Sequence, residues 1–278
     1  MTESRADRAG VAAFARRLAL NVKRGWDALV RPPLVRPPRP RAAAMVAVCV
    51  LVAAVIALMF LVDSAASDWA RDLPGWFTTI FERVTNFGLS GWFLYPSGFA
   101  LLCLAALSSL ALPRFTLAVL AVLTRRCGFL FIAIGLPGLF TTLVKRMIGR
   151  ARPFVGSGPQ DDPFSYMPFI WKPAYASMPS GHSTTAVAAA IAIGAIWPRS
   201  RVVMWLYALI IMFSRIAILA HHPSDVLGGA IVGGVGAWLV QRFFAARRLG
   251  FSPVDLRPFP GPSWRRLKEA ARNIAGRR

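Results

Sequence analysis

Three short segments hold most of the residues able to do chemistry. The first is Lys145–Pro153, KRMIGRARP. Lys145 and Arg152 stand seven apart, two helical turns, so the two cations share a face while the segment stays helical. The second is Met178–Thr185, MPSGHSTT. Ser180 suits a helix N-cap and Gly181 lets a ligand approach the backbone. The free N–H groups of such a first turn favour an anion, with His182 beside it. The third is Ser214–Asp225, SRIAILAHHPSD. Arg215 sits late in an apolar run, where a charge is costly and marks function. His221 and Asp225 are four apart, so in a helical backbone the carboxylate can reach the imidazole and orient it. Pro223 belongs in the first turn of the following helix. His222 points elsewhere by periodicity and reads as an interfacial bystander.

The first two segments each have a plainer reading alone: a basic juxtamembrane flank, and a capped helix with an interfacial histidine. Together the three segments describe phosphoryl transfer. Cations and N–H donors neutralise the equatorial oxygens of a phosphate. One histidine attacks phosphorus and the other protonates the leaving oxygen. The carboxylate partner of His221 is the one physical argument for which histidine attacks. Asp161 and Asp162 are adjacent, a poor spacing for a two-metal clamp, so a mechanism with no metal and no cofactor is preferred.

The elements that must carry these segments are transmembrane helices. Of the 278 residues, 56% are hydrophobic and 16% charged, against about 45–50% and 25% in soluble domains. This excludes a disordered chain and leaves a polytopic, all-α membrane helical bundle. A span needs about 20 apolar residues. Six stretches approach that length: Ala43–Val62, Trp92–Leu112, Gly128–Val144, His182–Trp197, Val202–Ala220 and Val226–Val240. Phe115–Leu123 is too short alone; it either extends the third span or lies at the interface. The first run is long and follows a 41-residue flank, which favours an uncleaved anchor over a signal peptide. Gly229-xxx-Gly233 permits close helix packing. Cys49, Cys103 and Cys127 lack metal or disulfide spacing and read as small buried apolar side chains.

Charge gives the topology. The formal net charge is +21. In a membrane chain that excess reports orientation and anionic lipid rather than nucleic acid. Of 33 Lys and Arg, 25 lie in residues 1–41, 113–126, 198–201 and 242–278. The positive-inside rule puts these segments and both termini in the cytoplasm. The three chemical segments then face the other side. There Lys145, Arg146, Arg150, Arg152 and Lys172 meet only Asp161 and Asp162 in their loop, so these cations need a reason, and an anionic ligand is one. The aromatics Phe154, Phe164, Tyr166, Phe169, Trp171 and Tyr175 suit an interfacial belt or a headgroup entrance. Three regions result: a basic, Pro-rich N-terminal segment 1–41 with Arg31–Arg41 extended, a six-span domain 42–241, and a basic tail 242–278 with a short surface helix from Trp264.

The pattern resembles the type-2 phosphatidic acid phosphatase superfamily, the lipid phosphate phosphatases. Its motifs K-x6-R-P, P-S-G-H and S-R-x5-H-x3-D read here Lys145…Arg152-Pro153, Pro179-Ser180-Gly181-His182 and Ser214-Arg215…His221…Asp225. The resemblance implies that His221 forms a phosphohistidine, Asp225 orients it and His182 is the general acid. It implies that Lys145, Arg152, Ser180, Gly181 and Arg215 hold the phosphate. It also implies independence of metal and inhibition by vanadate. The implied substrate is a membrane lipid phosphate: undecaprenyl diphosphate, phosphatidylglycerol phosphate, phosphatidate or a lipid A phosphate of a bacterial cytoplasmic membrane. A lipid phosphotransferase or a non-catalytic membrane protein are the alternatives. A vanadium haloperoxidase shares the anion cradle, but six spans count against it.

Overall fold

The computed structural model describes residues 2–35, 42–155 and 163–276. Among these the chain is all-α, and its only β pairings are the isolated bridges Arg150–Tyr166 and Phe251–Pro258. The helices run in order α1 Thr2–Val30, α2 Ala42–Leu61, α3 Asp63–Arg71, α4 Gly75–Thr85, α5 Gly91–Ser108, α6 Arg114–Ile148, α7 Gly181–Ile196, α8 Arg201–Ala217, α9 Pro223–Ala246 and α10 Trp264–Ala275.

Each of the six apolar stretches falls on a helix, but the expected six spans do not all qualify. Among the described residues four stretches are long and apolar enough to cross: Gly75–Ser108, Arg114–Ile148, Pro198–Ala217 and Pro223–Ala246. The pair Met45–Leu61 and Asp63–Arg71, bent by 57°, makes a fifth. The exception is α7, with 16 residues and thus about 24 Å long. It is made of Ala, Gly, Ile and small hydroxyls and is buried over most of its length. Small side chains let neighbours approach its backbone closely.

The basic loop expected at 113–126 is helical. Phe115–Leu123 extends the third span, giving α6 its 35 residues. At 1.5 Å per residue α6 is about 52 Å long and exceeds the hydrocarbon by about 20 Å. Arg114, Arg125 and Arg126 lie in its first half.

Two compact units make up the chain. The larger comprises Pro38–Leu94 and Ile132–Val240. Its core packs Ala186, Val187 and Ala190 of α7 against Ala208 and Ile211 of α8. Side chains Thr141 of α6 and Thr184 of α7 bond at 3.0 Å. The smaller comprises Met1–Pro37, Tyr95–Phe131 and Gln241–Arg278. Here Leu104, Leu112 and Leu120 receive Ile274 from α10, and Asn273 Nδ2 donates to Thr116 Oγ1 at 3.1 Å. Asn21 of α1 donates to the Ser108 carbonyl at 3.0 Å. The surface helix expected from Trp264 is present, capped by Ser263. The helix at Thr2–Val30 was not anticipated, because its apolar stripe is thin and interrupted by charge. Arg31–Val35 is non-helical as expected; Arg36–Arg41 lie outside the described residues. Cys49 is exposed on α2 rather than buried, and Cys103 and Cys127 are half-buried. On a lipid-facing helix a thiol is shielded from water without being buried in protein.

Candidate active site

All eight residues singled out for the site lie in the larger unit. Lys145 is on the last turn of α6. That helix stops at Ile148, because Gly149 takes φ +64° and donates its N–H to the Lys145 carbonyl at 3.0 Å. A Cβ at this glycine would overlap the Met167 carbonyl. Lys145 and Arg152 therefore do not share a helical face. Instead the loop returns Arg152, held by Arg152 N–H to Ala174 O at 2.8 Å and Ala151 N–H to Ser165 O at 2.9 Å. Asp161 and Asp162 lie outside the described residues.

Ser180 is the N-cap of α7, as its sequence implied: its Oγ accepts from Ser183 N–H at 3.5 Å and from the Ser183 hydroxyl at 3.0 Å. The ammonium of Lys145 stands 3.4 Å from where a Gly181 Cβ would be, so this cation faces the first turn of α7. Gly88 makes room for His182; a Cβ there would come within 2.9 Å of the imidazole. On α9, Cβ atoms at Gly229 and Gly233 would overlap the carbonyls of Ser180 and Thr184. The small-residue spacing thus lets α9 press directly on the first turns of α7. Ser180 N–H donates to Asp225 O at 3.0 Å, tying the starts of the two helices together.

Pro223 opens α9, also as implied. His222 precedes it, and Asp225 Oδ2 reaches back to the His222 N–H at 2.9 Å, as the third residue of a capping box does. Asp63 Oδ1 accepts the Ser224 N–H at 3.0 Å. A carboxylate is favoured at such a helix start. Arg150 is fully buried and bonds both acids: Nη1 to Asp225 Oδ1 at 2.7 Å and Nη2 to Asp63 Oδ2 at 2.8 Å. It also reaches Ser224 Oγ at 2.6 Å and Pro163 O at 2.9 Å. The Ser224 hydroxyl itself bonds Asp63. Burial lowers the pKa of this guanidinium, but Asp225 and Asp63 outweigh it and hold the charge more firmly than usual.

Two expectations change here, for Arg150 and His222, and a residue that no motif marked joins them. Arg150 has its anions within the protein and does not need a ligand. Asp63, from the acidic segment before α4, belongs to the site's framework. His222 is buried, not interfacial: its Nδ1 lies 3.2 Å from Ser67 Oγ, away from the other imidazoles.

His221 is 2% exposed and Asp225 0%. Their Nδ1 and Oδ2 atoms are 3.9 Å apart. Ser177 Oγ lies 2.6 Å from Asp225 Oδ2 and 3.4 Å from His221 Nδ1. Arg215 is buried, with Nη1 on Thr85 Oγ1 at 2.6 Å. Near His221, Nε of Arg152 and Nε of Arg215 are buried without a hydrogen-bond partner; among the described residues the same holds for Nε of Arg146 and of Arg31. Burial, then Arg152, Arg215, Lys145 and His182, push the His221 pKa well below its usual 6.5, so the imidazole is neutral at neutral pH. Burial lowers Arg152 as well, against the opposing pull of Asp225. A neutral His221 and partly desolvated cations with idle donors are what an incoming oxyanion would complete.

A cavity of about 390 Å³ opens beside His182, lined by Gly135, Gly138 and Thr142 of α6, Thr185 of α7 and Leu94. Its walls mix Leu94, Ile134 and Leu139 with Ser90, Thr142, Thr185 and His182, a lining that suits an amphiphilic ligand. In the loop after α6, Phe154, Phe169 and Trp171 are exposed, and Arg146 lies over the Trp171 ring at 5.2 Å.

A charged, polar cluster built where membrane helices meet defines a membrane enzyme by class. Residues 126–249 match the family model of the PAP2 superfamily. Among curated proteins, a lipid A 1-phosphatase of Rhizobium johnstonii is 34% identical over 229 residues, 78% of this chain and 86% of that protein. A lipid A 1-phosphatase of Rhizobium etli is 33% identical, covering 74% of this chain and 90% of that protein. A lipid A 4′-phosphatase of Bacteroides thetaiotaomicron is 28% identical over 43% of this chain and 53% of that protein. Among solved structures, a transmembrane PAP2-type phosphatidylglycerolphosphate phosphatase of Bacillus subtilis is similar with a TM-score of 0.47 and 20% identity, over 70% of this chain and 94% of that one. The chain belongs to the PAP2 superfamily. It is a multi-pass membrane protein and a lipid phosphatase.

Proposed function

We propose that this lipid phosphatase works through a phosphohistidine on His221. The observation that carries the reading is the pair of idle, buried Nε donors of Arg152 and Arg215 beside a neutral, buried His221. The phosphate sits among Lys145, Arg152 and Arg215 and the Ser180–Gly181 start of α7. Nε2 of His221 attacks phosphorus, and the bond to the lipid oxygen breaks. That oxygen takes the electron pair and a proton from His182. Water, deprotonated by His182, then attacks the phosphohistidine and releases inorganic phosphate and His221. Asp225 holds the nucleophile in place.

The names of the Rhizobium relatives support a lipid A phosphate as the substrate, the glycosidic 1-phosphate before the 4′-phosphate. The cavity beside His182 would receive only the part of such a lipid next to the scissile bond, on the leaving-group side. The charge distribution supports a cytoplasmic membrane location with both termini inside and the site on the opposite face. The exposed basic residues of α1 and α10 suit anionic headgroups of the inner leaflet.

The test is phosphate release by the purified protein from lipid A, phosphatidylglycerol phosphate, phosphatidate and undecaprenyl diphosphate, with mass spectrometry to locate the lost group. Loss of the 1-phosphate of lipid A, abolished in His182→Ala and His221→Ala, is expected. Turnover of another lipid with lipid A untouched would remove the substrate assignment. Full activity in His221→Ala would remove the nucleophile. Phosphate recovered on an acceptor lipid would make the enzyme a transferase.

A further inference from the structure

The carboxylate of Asp225 does not touch the imidazole it is expected to orient. Nδ1 of His221 is 3.9 Å from Oδ2, beyond hydrogen-bond reach. The acid is already occupied: Oδ1 takes Arg150 at 2.7 Å, and Oδ2 takes the His222 N–H at 2.9 Å. Ser177 stands beside both groups, fully buried in the segment before α7. Its backbone N–H is fixed on Arg150 O at 3.1 Å. Its Oγ is 2.6 Å from Asp225 Oδ2 and 3.4 Å from His221 Nδ1. A hydroxyl has one proton to give and lone pairs to receive with. The short contact to a carboxylate takes that proton, which leaves only an acceptor facing the imidazole.

We propose that Ser177 is a positioning residue that carries the influence of Asp225 to His221. It accepts the Nδ1–H of His221 and donates to Asp225. The tautomer is thereby fixed, with the Nε2 lone pair left for phosphorus. The inference rests on the phosphohistidine reading. In the attack the Nε2 pair forms the N–P bond, the P–O bond to the lipid breaks, and the leaving oxygen takes a proton from His182. The Nδ1 proton stays on the ring and the serine proton stays on Oγ, so no proton crosses the serine. The positive charge on the phosphorylated ring is stabilised through the polarised hydroxyl. The other ionisable groups around His221 are Arg152 from the loop, Arg215 from α8, Lys145 from α6 and His182 from α7, and all of them oppose that charge. Asp225, through Ser177, is the group arranged to favour it.

The experiment compares wild type, Ser177→Ala, Ser177→Thr and Ser177→Cys on a lipid phosphate, with kcat and KM measured on each across pH. Ser177→Ala is expected to lose about tenfold or more in kcat, with KM within about twofold. Its acid limb is expected to move to lower pH by about half a unit, because the imidazolium loses its hydrogen-bonded support. Substrate ionisation is common to all variants and cancels. Ser177→Thr, which keeps the hydroxyl, is expected to recover most of kcat. Wild-type kcat with an unmoved acid limb in Ser177→Ala overturns the proposal. So does a parallel rise in KM, which would put the residue in the phosphate cradle. If the alanine variant does not melt cooperatively, Ser177→Cys decides: its thiol is a weak donor, and undiminished kcat there overturns the proposal equally. His221→Ala, run alongside, tests the phosphohistidine separately.

Discussion

Replacing Arg150 with methionine separates a framework residue from a phosphate ligand. Its guanidinium makes four hydrogen bonds, at 2.6, 2.7, 2.8 and 2.9 Å, two of them to carboxylates with no exposure. Taking one partner from a buried ion pair costs about 3–5 kcal/mol. Here each acid keeps other donors: Asp63 the Ser224 N–H and hydroxyl, Asp225 the Ser177 hydroxyl and the His222 N–H. That places the loss near the lower end, about 3 kcal/mol. For a chain of this size each kcal/mol is worth about 2–4 °C, so the midpoint should fall by about 6–12 °C. The assay is the thermal transition in detergent followed by tryptophan fluorescence, with vanadate affinity measured below it. Adding Asp63→Asn to Arg150→Met should return part of the loss, since one of the uncompensated charges is gone. An unchanged midpoint with vanadate affinity reduced tenfold would refute the reasoning, because Arg150 would then be holding the ligand.

Gly233→Val should cost about 1–3 kcal/mol or more and most of the activity, since its side chain has to displace the first turns of α7; a wild-type melting curve would contradict the packing. Activity should persist below pH 6.5 before its acid limb, because His221 stays neutral there; a pH–rate profile measures it. Stability has the same sign: the unfolded chain takes up the His221 proton first, so folding stability falls as pH drops through about 6.5. His222, lowered chiefly by burial, adds to this, and His221→Gln should flatten the melting-temperature profile between pH 7 and 5. Chelators should leave kcat unchanged, and a strict requirement for an added divalent ion would contradict the metal-free route.

The chain's local signals proved informative where neighbours in sequence are neighbours in space. Ser180 caps α7, Pro223 opens α9, and the Gly229/Gly233 spacing marks a true helix contact. The misses have physical causes. Asp63 acts on Arg150 across 87 positions and on Ser224 across 161, and no period links such residues. Ser177 is a serine in a loop, with nothing in its spacing to set it apart. Arg150 looked like its neighbours Arg146 and Arg152 because charge alone does not say whether the counterion is a ligand or an aspartate. The split between Lys145 and Arg152 was hidden in Gly149, whose positive φ ends the helix that a seven-residue spacing assumes. Arg125 and Arg126 suggested a loop, yet a helix that overshoots the bilayer carries charge beyond it without breaking.

The Arg150 junction also has a bearing on how the chain is made. Synthesis delivers Asp63 first, Arg150 much later and Asp225 last. Until α9 is made, the arginine has only Asp63 of its two carboxylate partners, and the Asp63 oxygen that will cap α9 has no Ser224 N–H to accept. Hydrophobic spans can enter the bilayer one after another, but this junction closes only once the final span is in place. It acts as a latch on completed assembly, drawing the starts of α3 and α9 and the loop after α6 together. A truncated chain ending before Asp225 would keep the earlier spans but lose the last one, and the latch with it, leaving Arg150 with Asp63 as its carboxylate partner.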